Sequence, residues 1–152
     1  MKKGIIFLLS VAAVIGALTL FDYVRSRSIS IEVYEITPQT VVADPHEPVL
    51  IKLRVTKNGK SVNNHDITCL VMGGGNVKAD RVETDANGIA EFTYYPYSFI
   101  PKINEESTVK LLFKDVSDSV FIAVQKEKYI GINVKKPENS GSNTTVDDIF
   151  NN

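Results

Sequence analysis

The fold of this chain is decided by the stretch Val49-Leu-Ile-Lys-Leu-Arg-Val-Thr-Lys-Asn-Gly-Lys60. Its apolar residues at 49, 51, 53 and 55 alternate with Lys52, Arg54 and Thr56, so an extended chain would present them all on one face. The Asn58-Gly59 pair that follows tolerates the positive φ angles of a tight turn. The stretch therefore predicts a half-buried strand that ends in a hairpin.

The same alternation recurs along most of the chain after residue 28. We predict strands over 29–34, 49–56, 67–72, 77–84, 89–95, 108–114 and 119–125, and an edge strand or a continuation of the last one over 128–134. Several short strands at near-regular spacing, with no amphipathic helix between them, are typical of an antiparallel sandwich. The sequence therefore predicts an all-β domain over residues 29–135.

Three turn signals in this domain occur in a recognisable order. They are Asn58-Gly59 after one strand, Gly73-Gly74-Gly75 after the next, and Thr84-Asp85-x-x-Gly88-x-Ala90. With these features the segment from about Ser30 to Lys126 resembles bacterial immunoglobulin-like domains of the invasin and intimin type. The resemblance implies an immunoglobulin-like antiparallel β-sandwich and a non-enzymatic role in spacing or recognition. A single module, with a longer connection between Tyr95 and Thr108, differs from the tandem arrays of that family.

Residues 4–21 form an uncharged, strongly apolar run after Met1-Lys2-Lys3. As a helix this run spans roughly 27 Å, close to the thickness of the hydrocarbon core of a bilayer. It is longer than the core of about 7 to 15 residues that is typical of signal peptides, and no Ala-x-Ala site follows before Asp22. We therefore predict that residues 1–28 are an uncleaved signal-anchor helix with a short juxtamembrane linker, with a cleaved signal as the alternative.

Charges flank the apolar run on both sides. Lys2, Lys3 and the amino terminus precede it, whereas Arg25 and Arg27 follow it and are partly offset by Asp22. This distribution favours a cytoplasmic amino terminus and an extracytoplasmic domain in a single-pass membrane protein. If the helix were cleaved, the domain would be secreted.

The overall composition argues against several classes of function. With 17 Lys and Arg against 18 Asp and Glu, the net charge of -1 offers no general attraction to nucleic acid. The single cysteine, Cys69, cannot form an intrachain disulfide, so the stability of the domain has to come from packing. Cys69 also alternates with apolar residues in a predicted strand, which indicates a buried and unreactive thiol.

Candidate catalytic and metal-binding residues do not form a recognisable set. His46 and His65 lie in predicted loops without helical spacing, and we interpret both as solvent-exposed. The loop aspartates show no Asp-x-Asp-x-Asp spacing; they are Asp44, Asp80, Asp85, Asp115 and Asp118. Asp85 is better explained as a turn residue whose carboxylate binds nearby backbone amides. The sequence predicts no enzyme, no cofactor and no metal site.

Aromatic residues are concentrated where the strand over 89–95 runs into a loop. Large aromatic side chains are enriched in binding hot spots, so we predict a partner-binding site of Tyr95, Tyr97, Phe99 and Ile100. The alternative is that at least two aromatic residues of this stretch, which also includes Tyr94, cap the sandwich core beneath the loop. The two interpretations are partly compatible.

The last segment, residues 136–152, is polar and is predicted to be a disordered tail. Taken together, the sequence predicts a membrane-anchored, extracytoplasmic binding or scaffolding module with a protein partner. A subunit of a bacterial envelope assembly for secretion, conjugation or surface appendages would fit this description. The alternative is a cleaved, exported, adhesin-like protein that recognises a surface ligand through its loops. The identity of the partner and the oligomeric state do not follow from the sequence.

Overall fold

In a computed structural model, which describes residues 2–101 and 107–138, a long helix leads directly into two facing β-sheets. The elements are α1 (Lys2–Ser28), β1 (Ile29–Thr37), β2 (Val41–Val42), β3 (Val49–Lys57), β4 (Lys60–Ser61), β5 (Asp66–Met72), β6 (Asn76–Val77), β7 (Arg81–Glu83), β8 (Ile89–Tyr95), β9 (Ser107–Asp115), a short 3-10 helix (Ile122–Val124) and β10 (Glu127–Lys135). The predicted tail lies largely outside the described residues.

Each sheet has five described strands. The first sheet has the order β1-β3-β8-β6, with β4 paired to β3, and the second has the order β2-β10-β9-β5-β7. Neighbouring strands are antiparallel, except that β2 runs parallel to β10. The predicted all-β fold is therefore confirmed as an immunoglobulin-like sandwich preceded by one apolar helix.

The core lies between the inner faces of the two sheets, where alternate residues of each strand are buried. The first sheet contributes Ile29, Ile31, Val49, Ile51, Leu53, Val55, Ala90, Phe92 and Tyr94, and the second contributes Ile67, Cys69, Val109, Leu111, Phe113, Ile130, Ile132 and Val134. Phe92 meets Phe113 across the gap, with ring centroids 5.1 Å apart and an interplanar angle of 62°. Edge-to-face packing of this kind stabilises aromatic pairs beyond the area that they bury.

Strand register gives the sandwich two distinct ends. Ile29 pairs with Lys57, and Ile67 pairs with Asp115, so the turns after β3 and β9 lie near the point where α1 joins β1. We call this the helix end. Asn76 pairs with Tyr95 at the opposite end, which we call the far end.

The helix continues without a break to the first strand. Residues 22–28, which were expected to be a short linker, form the last turns of α1. Asp22 is only 2% exposed, and its carboxylate accepts hydrogen bonds from the backbone N–H groups of Val120 and Phe121. Arg25 Nη1 donates to Ser119 Oγ at 3.1 Å. The end of the helix is thus packed onto the sandwich.

Two predicted strands need correction. The strand over 77–84 is divided, because Lys78 N donates to Thr93 O in the first sheet while Asp80 O accepts from Cys69 N in the second. The chain therefore changes sheets between β6 and β7. The hydrogen-bonding partners are chosen by distant strands, and the sequence marks the change only by a one-residue shift in alternation between Ala79 and Val82.

The strand predicted over 119–125 is also wrong. Both edges of β9 are already occupied, by β5 and β10, so a further strand has no place beside it. The backbone N–H groups of Val120 and Phe121 instead bind the Asp22 carboxylate, and Val124 N donates to Phe121 O. The segment 128–134 does form a strand, β10, which pairs with β9 along its whole length.

The predicted turn residues lie at the helix end. Asn58 and Gly59 both have positive φ, at 52° and 77°, and connect β3 to β4 as expected. Asp85 Oδ1 accepts hydrogen bonds of 2.8 Å from the backbone N–H groups of Asn87 and Ile89. The bond from Ile89 in particular holds the pKa of Asp85 below its ordinary value.

Thr84 is the buried member of the same motif. Its Oγ1 accepts a hydrogen bond from His65 N and donates one to Val62 O, at 2.9 and 2.7 Å. Thr84 is 2% exposed, so these bonds satisfy a hydroxyl that would otherwise be costly to bury. Thr84 therefore links the connection between β4 and β5 to the turn that precedes β8.

Gly88 and Gly59 form a matched pair for testing this motif. Both have left-handed φ, +74° and +77°, but a Cβ on Gly88 would lie 2.5 Å from Val55 O, whereas one on Gly59 would have no atom within 4 Å. Gly59→Ala should therefore cost about 1 kcal/mol for the backbone alone. Gly88→Ala should cost roughly 1–3 kcal/mol more because the turn has to move.

The measurement is an unfolding curve in denaturant for the full-length protein in detergent, monitored by near-ultraviolet circular dichroism. Equal losses of stability in the two variants would contradict the close packing of Gly88 against β3.

Candidate partner-binding site at the far end

The aromatic segment that begins at the end of β8 is divided between the core and the surface. Tyr94 is fully buried, and its hydroxyl donates a 2.9 Å hydrogen bond to Gly74 O. Tyr95 points to the outer face of the first sheet and is partly exposed, since successive side chains of a strand face opposite ways. Tyr94 therefore belongs to the core, while Tyr95 is available to a partner.

Tyr97 and Phe99 lie between these extremes. Both are half-buried and pack against the edge of the core. The Tyr97 hydroxyl shares a 2.6 Å hydrogen bond with Ser107 Oγ, and Phe99 N donates to Ala43 O at 3.0 Å. The loop is thus fastened at two points, so its side chains are held in place before any partner arrives.

Tyr95 and Tyr97 form one side of an open groove of about 680 Å³. It is lined by Pro45, Gly75, Asn76, Val77, Lys78, Tyr95, Pro96, Tyr97 and Ser98. One wall is aromatic, and the other carries the exposed amide of Asn76 and the exposed ammonium of Lys78. An arrangement of this kind can bury an apolar side chain while it binds carbonyl or carboxylate groups next to it.

The structure brings together only part of the predicted site. Tyr95 and Tyr97 line the groove, Phe99 faces the core, and Ile100 lies in the same loop with 48% of its surface exposed. Sequence reasoning missed the opposite wall, which β6 supplies. The Gly73-Gly74-Gly75 turn was the available signal, because its positive φ angles return the chain to pair Asn76 with Tyr95.

The geometry of Gly74 and Gly75 shows why the turn consists of glycines. A Cβ on Gly74 would lie 2.9 Å from Tyr97 Cδ1, and one on Gly75 would lie 2.6 Å from the Tyr94 hydroxyl. Their φ angles, +128° and +81°, are also unfavourable for other residues. The aromatic loop can therefore lie directly on the turn.

His65 was predicted to be solvent-exposed, and this prediction is wrong. Its side chain is only 14% exposed, and its Nδ1 lies 2.6 Å from Oδ2 of the fully buried Asp115. Asp115 Oδ1 also accepts a hydrogen bond from Ser117 N. Asp115 continues the inward-facing series of β9 and so requires partners at the helix end, which His65 and Ser117 provide.

Two further polar candidates, His46 and Asp44, contact each other at the surface. His46 is exposed as predicted, and its Nδ1 lies 3.0 Å from Asp44 Oδ1. Among residues 2–101 and 107–138, no three His, Cys, Asp or Glu side chains gather as a metal site would require.

Cys69 lies on the inner face of β5 and is 6% exposed. Burial raises the pKa of its thiol from 9.0 to about 12, so the nucleophilic thiolate is not formed near neutral pH. Burial also raises the pKa of Tyr94 from 10.0 to about 12. The burial of this thiol, which was expected from the sequence, is thus confirmed.

Comparison with solved structures finds several similar folds at low sequence identity. The D00-D0 domain of intimin gives a TM-score of 0.47 at 16% identity, covering 70% of this chain and 46% of that one. The D0-D1 domain of intimin also gives 0.47, at 22% identity, covering 70% and 49%. A conjugative transposon lipoprotein from Bacteroides eggerthii DSM 20697 gives 0.44 at 18% identity, covering 70% and 98%.

The chain thus spans about half the length of the intimin fragments that it matches. Intimin is the type of protein to which the turn motifs pointed. Neither a protein-family model nor a curated protein matches the chain.

The buried thiol leads to a prediction about alkaline pH. In the folded protein Cys69 and Tyr94 keep their protons up to about pH 12, whereas in the unfolded chain they release them near pH 9.0 and 10.0. The free energy of unfolding should therefore be constant with respect to these two groups below about pH 9 and should decrease as the pH rises toward 12. Urea midpoints measured across this range should decrease, with a shallower slope in Cys69→Ala. Iodoacetamide should label Cys69 only after unfolding. A constant midpoint, or labelling of the folded protein, would contradict the burial.

Proposed function

We propose that this chain is a membrane-anchored, extracytoplasmic binding module of a bacterial envelope assembly. Support comes mainly from the placement of its two surfaces, since an apolar helix leaves one end of the sandwich and an aromatic groove opens at the other. A partner at the groove would be held away from the bilayer at a distance set by the length of the sandwich. The module would thus join a protein partner to the membrane.

The helix has the length and surface that an anchor requires. An 18-residue window within Lys3–Ser28 has a mean hydropathy of 2.5, and none of that window is buried against the rest of the protein. Large apolar side chains therefore project outward in every direction, among them Ile6, Phe7, Leu8 and Leu9, each more than 60% exposed. Such a surface is stable in hydrocarbon and unfavourable in water.

The orientation proposed is amino terminus inside. Lys2 and Lys3 precede the span, while the basic residues after it, Arg25 and Arg27, are accompanied by the buried carboxylate of Asp22. The excess of positive charge thus lies on the amino-terminal side, where cytoplasmic segments are enriched in lysine and arginine. The sandwich then lies outside the cytoplasm.

The groove is suited to protein recognition because it is already formed. Tyr97 is held by Ser107, and Phe99 by the backbone of Ala43, so little conformational entropy is lost when a partner binds. Tyr95 and Ile100 supply exposed apolar area, and Lys78 supplies charge. No catalytic role is proposed, since these residues do not form a nucleophile, a base and an orienting group.

Retention of the helix can be tested by intact mass. Protein extracted from the membrane fraction of cells that produce the chain should have the mass of the full sequence, because the apolar run is a membrane span and lacks a cleavage site. Loss of about the first twenty residues would instead support the exported, adhesin-like alternative.

The groove can be tested by photo-crosslinking in intact cells. A photoreactive amino acid at Tyr95 and, separately, at Ile100 should give the same protein adduct. Exposed positions at the helix end, Lys60 and Asn87, serve as matched controls and should not give it. Because aromatic anchors often contribute more than 1 kcal/mol, Tyr95→Ala should lower the adduct yield from position 100 by about tenfold. Equal adducts from both ends, or an unchanged yield, would remove the groove from the proposal.

A further inference from the structure

The loop over residues 117–121 is attached to the helix by an unusual contact. Asp22 is buried, and its Oδ2 accepts hydrogen bonds from two successive backbone N–H groups, those of Val120 and Phe121. A second contact, from Arg25 Nη1 to Ser119 Oγ, lies one turn further along the helix. The position of the loop along the helix axis is therefore fixed.

That position coincides with the end of the apolar run. Asp22 directly follows Phe21, the last residue of the uncharged stretch, and one residue of helix rises about 1.5 Å. The backbone of Val120 and Phe121 is hydrogen-bonded to Asp22, so it lies at nearly the same height. If residues 4–21 cross the hydrocarbon, the loop reaches the level at which hydrocarbon gives way to headgroups.

The side chains at this level are those of a membrane interface. Val120 is 52% exposed, and two helix residues at the same height, Phe21 and Val24, are 57% and 61% exposed. Arg27 lies over the ring of Tyr23 at 5.2 Å, placing a cation and an aromatic ring just above the apolar residues. Tyrosine and arginine near the end of a span are typical of the headgroup region.

The Asp22 contact also removes an obstacle to this placement. A carboxylate at the border of the hydrocarbon is costly unless hydrogen-bond donors satisfy it. The N–H groups of Val120 and Phe121 provide those donors, and the same hydrogen bonds satisfy these two N–H groups without water. Both partners can therefore be withdrawn from water together.

From this geometry we infer a second membrane contact, in which the 117–121 loop lies in the interfacial layer of the bilayer and Val120 contacts lipid. The inference rests on the proposed membrane anchor. Lipid is the favoured partner because exposed Val120 is held level with the end of the apolar run, none of which is covered by the rest of the protein. The sandwich would then be supported on the membrane at two points.

The chain contains no tryptophan, so single tryptophans report on depth without background. Three full-length variants would be reconstituted in vesicles of phosphatidylethanolamine and phosphatidylglycerol: Val120→Trp in the loop, Leu9→Trp within the apolar run, and Ile100→Trp at the far end. Each vesicle preparation would contain lipids brominated either near the carbonyl or near the end of the acyl chain. Circular dichroism would confirm that each variant has the fold of the parent.

We expect Val120→Trp to emit at shorter wavelength than Ile100→Trp and to be quenched chiefly by bromine near the carbonyl. Leu9→Trp should be quenched by deep bromine, which tests the anchor itself. If Leu9→Trp is quenched and Val120→Trp is not, the loop inference is wrong and the anchor stands. If Leu9→Trp is not quenched either, the anchor is wrong. Short-wavelength emission from position 120 without quenching would mean a protein neighbour and would also overturn the inference.

The Asp22 contact is tested by adding Asp22→Ala to the tryptophan variants. Loss of the carboxylate should release the loop and reduce quenching at position 120 severalfold, while quenching at position 9 is unchanged. Ser30→Ala, which removes a hydroxyl that donates to nearby Glu32, is the matched control and should change neither signal. Unchanged quenching at position 120 in Asp22→Ala would show that the carboxylate does not set the depth of the loop.

Discussion

The structure depends on the contact between the inner faces of its two sheets. Neither a disulfide nor a tryptophan contributes to this contact, and the edge-to-face pair of Phe92 and Phe113 lies across it. Each large apolar side chain fully buried there contributes roughly 1.5–3 kcal/mol. Everything at the two ends, including the groove and the attachment of the helix, consists of connections between strands that this core holds in register.

Local alternation carries most of the information about this core. The run from Val49 to Lys57 shows it most clearly, and each inward residue of that strand is buried as its parity requires. What alternation does not carry is the identity of the neighbouring strand. In the segment 77–84, Lys78 N donates to Thr93 O in one sheet and Asp80 O accepts from Cys69 N in the other, and the shift in alternation between these residues does not identify either partner strand. The segment 119–125 is apolar from Val120 to Val124, but the Asp22 carboxylate, and not a neighbouring strand, binds the backbone N–H groups of Val120 and Phe121.

In the candidate site, too, alternation along a strand predicts which side chains are buried, whereas contacts between residues far apart in sequence are not predicted. Parity alone assigns Tyr94 to the core and Tyr95 to the surface, and both assignments agree with the structure. Beyond the strand parity no longer applies, so the half-buried positions of Tyr97 and Phe99 depend on Ser107 and Ala43. His65 was missed for the same reason, because its partner Asp115 is 50 residues away in sequence. Isolated motifs predicted the turns well because a turn is local.

The unbroken passage from α1 to β1 has a mechanical consequence. A nine-residue strand such as β1 extends about 30 Å, and transmembrane helices tilt on average by about 20°. With no flexible joint at Ser28, such a tilt would swing the opposite tip of the body sideways by about 10 Å. If α1 spans a bilayer as proposed, a change in bilayer thickness that alters the tilt of the helix would move the groove sideways, and the position of the groove would depend on lipid composition.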